Sequence, residues 1–458
     1  METKTFIEYA EENSGIEINK AITDNMIRWE KGLNYASSQF SDINLAKAKL
    51  VSIKEKNLYN LNSVIGRFEK NFTSNGGQLY IVSNTKDVLD IVNRIIKEEK
   101  IKNVLLSKSS TLEEVGIKEA INKKAEEITF TNIAEHIEKI SHKKSSHLVS
   151  SLVGYNIDEC FEIVKEKYEI DDNILTNEGI TQFISEKIEK KIEDADMVIT
   201  GANALIAETG SVVIVENEGN TLKSAAFAKN HIVIAGIDKL LGMIKDLDLL
   251  FPMLSTFSMG QKTATYGTII TPTKEKNKNL FVILVNNERT ELLKNSNVRS
   301  LLRCIKCGAC SNVCPVYKKV GGYAYNNAFP GPYGVIASPN IESLKAYKHL
   351  PYTSTLCGKC STVCPVNINI HNLIVNTRNE TIEKEVHSLS DEKIIKVLYN
   401  KTIKRRKMKS TPFGNFRYVR LLKKPWGNQR ELPEFAKNSF SKQFIEQQNN
   451  IEKQNNNE

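Results

Sequence analysis

Cysteine is scarce in this chain of 458 residues: only eight are present, and seven of them fall between Cys304 and Cys364. A secreted disulfide framework would scatter its cysteines more evenly, so that class is disfavoured. No run of eighteen apolar residues occurs, which argues against a membrane-spanning helix. The opening "METKTFIEYAEENSG" is acidic and polar and has no apolar stretch of signal-peptide type. A cytoplasmic protein is therefore expected. Neither a GxGxxG pattern nor a Walker-type phosphate loop is present, so the signatures of flavin, nicotinamide or nucleotide binding are missing. No DNA-reading motif and no basic stripe interleaved with aromatics appears, so nucleic acid is not an expected partner.

What is present divides the chain. Its length favours two or three domains, and 40% hydrophobic residues suffice to bury proper cores. The net charge of +9 is unevenly spread, with a dense block "KTIKRRKMK" from Lys401 and "LLKKPWGNQR" soon after. Such a block is either a solvated helix face or a contact for an anionic membrane surface or an acidic partner subunit.

Residues 1–74 read as helical: Leu58, Leu61, Val64, Ile65 and Phe68 recur at helical spacing and make one apolar face. After the "NGG" stop at Asn75, strand-like runs alternate with helical ones: "QLYIV", "KDVLDIVNRIIKEEK", "KNVLLSK", "SSTLEEVGIKEAINKK" and "EEITFT". That alternation predicts a parallel α/β sheet. Further strands are expected at "MVIT", "ALIA", "VVIV", "HIVIAGID" and "LFVILVNN", with a helix from Lys239 to about Met259. The expected organisation is a helical region over 1–74, an α/β domain over 75–292 and a cysteine module over 293–380. A basic helical segment over 381–445 and a polar, disordered tail over 446–458 complete it.

The cysteines carry the chemistry. Cys304, Cys307, Cys310 and Cys314, followed by Pro315, fill C-x2-C-x2-C-x3-C-P, the spacing of bacterial two-cluster ferredoxins. Three thiolates within seven residues wrap three corners of one iron cubane, and the fourth, redirected by the proline, serves the other cluster. Zinc, which also uses C-x2-C pairs, fits four cysteines in eleven residues poorly. Cys357, Cys360 and Cys364, followed by Pro365, repeat the last three positions of the pattern, and Ser354 stands where the first cysteine would be. The crossover rule gives one [4Fe-4S] cluster to Cys304, Cys307, Cys310 and Cys364, and a second to Cys314, Cys357 and Cys360. The second set is one ligand short. Ser354 or another oxygen could complete it, the cluster could be a three-iron form, or one iron could stay open to water, substrate or a partner's group. His371 is a weaker candidate, and Cys160 reads as a buried core thiol on a helix face shared with Ile157, Phe161 and Val164. Two clusters in one module form a one-electron relay.

The run "NNERTELLKNSNVRSLLRCIKCGACSNVCPVYKKVGGYAYNNAFPGPYGVIASP" resembles the lactate utilization protein B family, and "STLCGKCSTVCPVNI" is similar to that family's second motif, serine included. "DADMVITGANALIAETGSVVIVENEGN" resembles the signature of the lactate-utilisation (LUD) domain, and "PWGNQRELPEFAKNSFSKQF" the family's C-terminal segment. The resemblance spans about Leu58 to Phe444. It implies an α/β domain of the superfamily of sugar-phosphate isomerases and CoA transferases, followed by a mainly helical two-cluster ferredoxin module like that of fumarate reductase. It also implies an iron–sulfur subunit that acts in oxidising L-lactate to pyruvate. Two companions are implied, a cysteine-rich protein and a smaller LUD-domain protein, together with an electron acceptor that the sequence does not name.

Within the α/β part, Glu208 is the pointed catalytic candidate, because strand ends in α/β sheets commonly present binding groups. Its carboxylate could accept a proton from a hydroxyl, or Glu208, Thr209 and Asn203 could simply satisfy a tight turn. "ENEGN" from Glu216 reads as a hairpin turn with Gly219 at positive φ. An acidic run suits an anion such as lactate only with a cation or base nearby, and Lys223 is the closest lysine in sequence. Two other readings stand beside the relay. One is a stand-alone small-acid enzyme using Glu208, with the clusters as sensor or structural parts. The other is a scaffold docking companions through its basic tail.

Overall fold

Among the described residues, the computed structural model has ten strands, most of them on the apolar runs: β1 Gln78–Val82, β2 Asn103–Leu106, β3 Glu127–Phe130, β4 Met197–Thr200, β5 Ala204–Ile206, β6 Ser211–Glu216, β7 Asn230–Gly236, β8 Leu240–Leu241, β9 Tyr266–Ile270 and β10 Asn279–Val285. The structure describes residues 6–13, 15–122, 124–141, 147–150, 152–170, 176–275 and 277–384, residues 396, 399–400, 403 and 438, and the helix Phe440–Asn455. Six strands form one sheet in the order β1-β10-β7-β4-β2-β3, with every neighbouring pair parallel. This is the expected parallel α/β sheet.

Both faces of that sheet are covered, which is why its central strands are apolar throughout rather than alternating. Along β7 and β10, Ile232, Ile234, Phe281 and Ile283 enter one core with Val88, Val92 and Ile95. Their neighbours Val233, Ala235, Val282 and Leu284 enter the opposite core with Phe68 and Phe72. The helix Thr85–Glu98 buries Val88, Val92, Ile95 and Ile96 along one stripe, and its N-cap Asn84 accepts from the backbone N–H of Asp87. The helices Ile157–Tyr168 and Asn177–Glu193 pack Cys160, Val164, Ile180, Ile184 and Ile188 beneath β2 and β4. Cys160 is a buried core thiol as expected, whereas Ile157 is exposed and does not share its face.

A second, four-stranded sheet was not anticipated. Its order is β8-β5-β6-β9, with β5–β6 and β6–β9 antiparallel and β5–β8 parallel. β9 escapes sequence reading because its Tyr266–Ile270 run is largely exposed and carries Gly267. Other local differences have visible causes. The apolar face read from Leu58 to Phe68 is carried by two helices, since Asn60 ends Ile43–Tyr59 and starts Leu61–Ser74. The helix expected from Lys239 begins only at Leu247, because Leu240 and Leu241 are drawn into the second sheet. Gly219 has the positive φ expected of it (75°), but it caps the helix Asn220–Phe227 rather than turning a hairpin. The Glu216 carboxylate accepts the backbone N–H groups of Thr221 and Leu222, satisfying donors that a helix start leaves free.

The N-terminal helices do not stand apart. Ile22, Met26, Trp29 and Leu50 share one core with Leu254 and Phe257 and with Leu301, Tyr317 and Ile336 of the cysteine region. Trp29 Nε1 donates to Phe257 O at 3.3 Å. The cysteine region itself is a series of short turns and helices, from Arg299–Arg303 to Ile370–Glu383.

The chain separates into two units, Met1–Val386 and His387–Glu458. In the second, the helix Phe440–Asn455 begins in the segment expected to be helical and runs on through residues 446–455 of the tail expected to be disordered. Its Gln, Glu and Lys residues are good helix formers, and Phe440 stacks on Phe444 one turn on, ring centroids 5.9 Å apart. The basic stretches from Lys401 and Leu421 lie outside the described residues, apart from Ile403. Among the described residues, no helix is long and apolar enough to cross a membrane.

Candidate metal centre and adjoining pocket

The first cysteine motif is shaped by its backbone. The turn Arg299–Arg303 delivers Cys304; Lys306 and Gly308 then adopt left-handed φ values of 60° and 76°, coiling the chain around the thiols. Gly308 must lack a side chain, since a Cβ would lie 2.8 Å from the His147 ring. The helix Ala309–Asn312 carries Cys310, and Pro315 opens Pro315–Val320 immediately after Cys314. Proline at a first helical position fits because its missing N–H is not needed there.

Cys304, Cys307 and Cys310 line one cavity together with Cys364 from the second motif, closed by Leu148, Ile305, Tyr333, Ile368 and Ile370. Cys314 instead neighbours Cys357 and Cys360: burial raises the pKa of Cys314 and Cys360, and the nearby Cys357 thiol adds to both shifts. Cys310 also feels Cys360, so the two groups adjoin. All seven are free thiols. Burial, reinforced by neighbouring thiols, drives Cys307 and Cys310 far above the ordinary thiol range, and pushes Cys360 and Cys364 up to about 11. Ionised sulfurs packed this tightly in apolar surroundings need a strongly cationic centre among them, and iron supplies it. The donor set therefore fits iron–sulfur ligation.

Basic residues surround the first group unequally. Burial lowers the Lys54 and Lys306 amines to about 8, against the pull of Asp238 and Cys304. Lys239 is lowered by burial too, and it feels Cys304 and Cys307, while half-buried Lys47 feels Cys364 and Cys307. The Lys306 amine lies over the Tyr333 ring, 3.5 Å from its centroid, and 4.6 Å from that of Phe329. Beside Cys314, by contrast, the cation felt is Lys318.

These lysines join an ion network at the carboxyl ends of the large sheet. Arg289, just past β10, grips Glu114 with two nitrogens at 2.8 and 2.7 Å and Asp238 at 2.7 Å. Lys54 Nζ donates to the Asp238 carbonyl. The guanidinium and its neighbouring lysines hold the Asp238 carboxyl well below the usual range despite burial.

A pocket of about 270 Å³ opens at the same strand ends, where α/β sheets commonly bind ligands. Its wall takes Lys108 and Ser109 after β2, Thr131 and Asn132 after β3, Asn203 after β4, Glu216 at the end of β6 with Asn217 and Glu218 beyond it, and Lys239 and Lys306. Lys306, lying between two cysteines of the first motif, thus contributes to both the pocket and the thiol group.

Of the residues singled out from sequence, Asn203, Glu216, Asn217, Glu218 and Asn220 line this pocket, and Glu208 does not. The Glu208 carboxylate accepts the Ile244 N–H at 2.8 Å and sits 3.9 Å from the Arg67 guanidinium, while Asn71 Nδ2 donates to its carbonyl. These are the contacts of a turn being held. Asn203 Oδ1 accepts the Val215 N–H, and Glu218 is bridged to Asn132 Nδ2 at 2.9 Å. Lys223 pairs with Glu189 instead of offsetting the acidic run; the lysines that line the pocket are Lys108, Lys239 and Lys306. Only Lys306 carried a sequence signal, its place inside the cysteine motif. His371 is tied to Ser361, with Nδ1 2.8 Å from the hydroxyl oxygen and its backbone N–H donating to the same oxygen at 3.1 Å.

This geometry defines a class of protein, an α/β domain with a polar pocket fused to a two-motif cysteine module. Family comparison gives the same division: residues 65–290 match the LUD domain and residues 300–368 a 4Fe-4S dicluster domain. Lactate utilization protein B of Bacillus cytotoxicus is 31% identical over 76% of this chain and 74% of its own. Its counterpart in Macrococcus caseolyticus is 30% identical over 83% of this chain and 84% of its own. The chain belongs to the lactate utilization protein B family. Among solved structures, a DUF162 family protein from Deinococcus radiodurans aligns with 49% of this chain and 98% of its own, at 12% identity and a TM-score of 0.28.

Proposed function

We propose that this chain is the iron–sulfur electron-transfer subunit of a cytoplasmic complex that oxidises L-lactate to pyruvate and supports growth on lactate. In this reading Cys304, Cys307, Cys310 and Cys364 hold one [4Fe-4S] cluster, and Cys314, Cys357 and Cys360 hold three irons of a second. The observation that carries it is the cavity in which three thiols of the first motif meet one of the second. Bound clusters supply one-electron acceptor chemistry, and two of them together match the two electrons released when one lactate becomes pyruvate. The chain's own residues seat the clusters, exclude water with Leu148, Ile305, Tyr333 and Ile370, and surround the first with buried cations. The lactate role follows from the names of the relatives. The companions, a cysteine-rich subunit and a smaller LUD-domain subunit, and the module's kinship with helical dicluster ferredoxins follow from the family resemblance. A peripheral membrane contact through the basic C-terminal segment is part of the same proposal.

A second reading, in which the α/β domain itself binds the small acid, is favoured by the lysine-lined pocket beside the first thiol group. Glu208, tied to the Ile244 N–H and outside the pocket lining, enters it as a turn tether. Deleting the gene in a lactate-grown host should abolish growth on lactate; undiminished growth would remove the metabolic assignment. Binding of lactate or pyruvate to the anaerobically reconstituted chain, weakened in Lys239→Met, would place the acid site here. Equal affinity in both proteins would place it elsewhere.

A further inference from the structure

The second thiol group is one ligand short, and the backbone indicates what completes it. The two cysteine motifs are one template used twice, offset by fifty residues in this numbering. A short 3-10 turn precedes each, Arg299–Arg303 and Leu350–Thr353. Cys304 (φ −57°, ψ 127°) and Ser354 (φ −83°, ψ 137°) then leave their turns in the same extended direction. Two residues on, Lys306 and Leu356 adopt left-handed φ of 60° and 55°, a conformation rare for bulky side chains, and Gly308 and Gly358 follow at 76° and 81°. Helices carrying Cys310 and Cys360 come next, Ala309–Asn312 and Lys359–Val363. Cys314 and Cys364 close the motifs at φ −78° and −59°, each followed by proline.

The correspondence reaches the ligand atoms. Cys304 Sγ accepts the Lys306 N–H at 3.3 Å, and Ser354 Oγ accepts the Leu356 N–H at 3.1 Å. A backbone donor thus orients the serine hydroxyl as it orients the cysteine thiol. Arg378 fixes the turn from behind, donating to the carbonyls of Pro351 and Ser354, both at 2.9 Å. Cys304 joins Cys307, Cys310 and the closing cysteine of the other motif in one cavity. The same template, applied to the second motif, would bring Ser354 to Cys357, Cys360 and Cys314.

We infer that Ser354 Oγ is the fourth protein ligand of the second cluster. This rests on the proposed ligation of that cluster by the other three thiols. On binding, the hydroxyl proton passes to solvent and an O–Fe bond replaces an Fe–water bond, with no change in electron count. The alkoxide carries the same charge as a thiolate but is a harder donor, so it favours the ferric state and holds this cluster at a lower potential than four thiolates would. The His371 ring, with Nδ1 on Ser361, is not placed by the template.

The test uses the full-length chain, reconstituted anaerobically with ⁵⁷Fe and studied by Mössbauer and EPR spectroscopy with redox titration, as wild type, Ser354→Ala, Ser354→Cys and His371→Ala. Wild type should show one iron of the second cluster distinct from three thiolate-bound irons. Ser354→Cys should keep the full iron content, lose that distinct site and titrate at a higher potential. Ser354→Ala should lose about one iron per chain and acquire the EPR signal of an oxidised three-iron cluster. His371→Ala should match wild type. A Ser354→Ala spectrum identical to wild type, a wild type that already shows the three-iron signal, or loss of the distinct site in His371→Ala would each overturn the inference. Should Ser354→Ala fail to load iron at all, Ser354→Cys decides, and an unchanged spectrum there would overturn it. If no variant, wild type included, holds a second cluster, the ligation by Cys314, Cys357 and Cys360 fails first.

Discussion

Lys306 shows how much one side chain can join. Its backbone sits in the left-handed conformation that bends the first motif, its amine rests on two aromatic rings, and its side chain lines the α/β pocket. A positive charge buried beside Cys304 stabilises the more negative, reduced form of whatever that thiol helps to hold. Lys306→Met, which keeps the aliphatic stem over the rings, should therefore lower the reduction potential of the first cluster and leave the second where it is. Equal shifts in both, or none, would contradict this, and a redox titration with EPR detection distinguishes the cases. Glu208 gives the opposite lesson. If the proposed function holds, Glu208→Gln should retain lactate-dependent electron transfer within about threefold, and it should lose no more than about 1 kcal/mol of stability for the weakened turn. The sequence made Glu208 conspicuous because it interrupts two apolar strands. What it could not reveal was the Ile244 N–H waiting for its carboxylate.

At the scale of elements, the large sheet depends on polar groups placed at and near its strand ends. Arg289 is 2% exposed, and Glu114 and Asp238 are 0% and 4% exposed, so none can turn to water if a partner is lost. Arg289→Ala should destabilise the chain by about 3–5 kcal/mol, read as a shift in denaturant midpoint, because two buried carboxylates lose their counter-charge. On β7, His231 is fully buried with Nε2 2.8 Å from Thr200 Oγ1, and burial, aided by Lys278, lowers its pKa to about 3. The unfolded chain binds a proton there near pH 6.5 while the folded one does not, so stability falls as pH drops from about 6.5 towards 3. Chemical denaturation at pH 5 and 7.5 should show a loss of about 2 kcal/mol from this residue, diminished in His231→Gln. The central strands of this sheet were legible because both of their faces are buried and they are unbroken apolar runs. β9 was not, since an exposed strand without such a run resembles a loop. The helix start at Gly219 was misread because glycine at positive φ serves both hairpins and helix caps, and the Glu216 contacts decide between them.

For the whole molecule, the division of labour rests on contacts between segments far apart in sequence. The pairing of Cys364 with Cys304, Cys307 and Cys310 could be anticipated from spacing alone, because the crossover follows from a short repeated pattern. The pocket lysines could not, since Lys108, Lys239 and Lys306 come together only through the fold. Nor could the N-terminal helices be seen to share a core with the cysteine region, as Ile22, Met26 and Leu50 do with Leu301 and Tyr317. The arrangement places a polar pocket, a cation-rich thiol group and a second thiol group in sequence, the order that the proposed relay would use.

The most direct measurement follows from the interleaving. Iron and acid-labile sulfide, counted on the anaerobically reconstituted chain alongside EPR of its reduced form, should give about eight irons for wild type. Cys364→Ala should remove the cluster of the first motif although Cys364 lies in the second, and Cys314→Ala should disable the other. Tetrahedral zinc in place of iron, or loss in each variant of the cluster belonging to its own motif, would contradict the account.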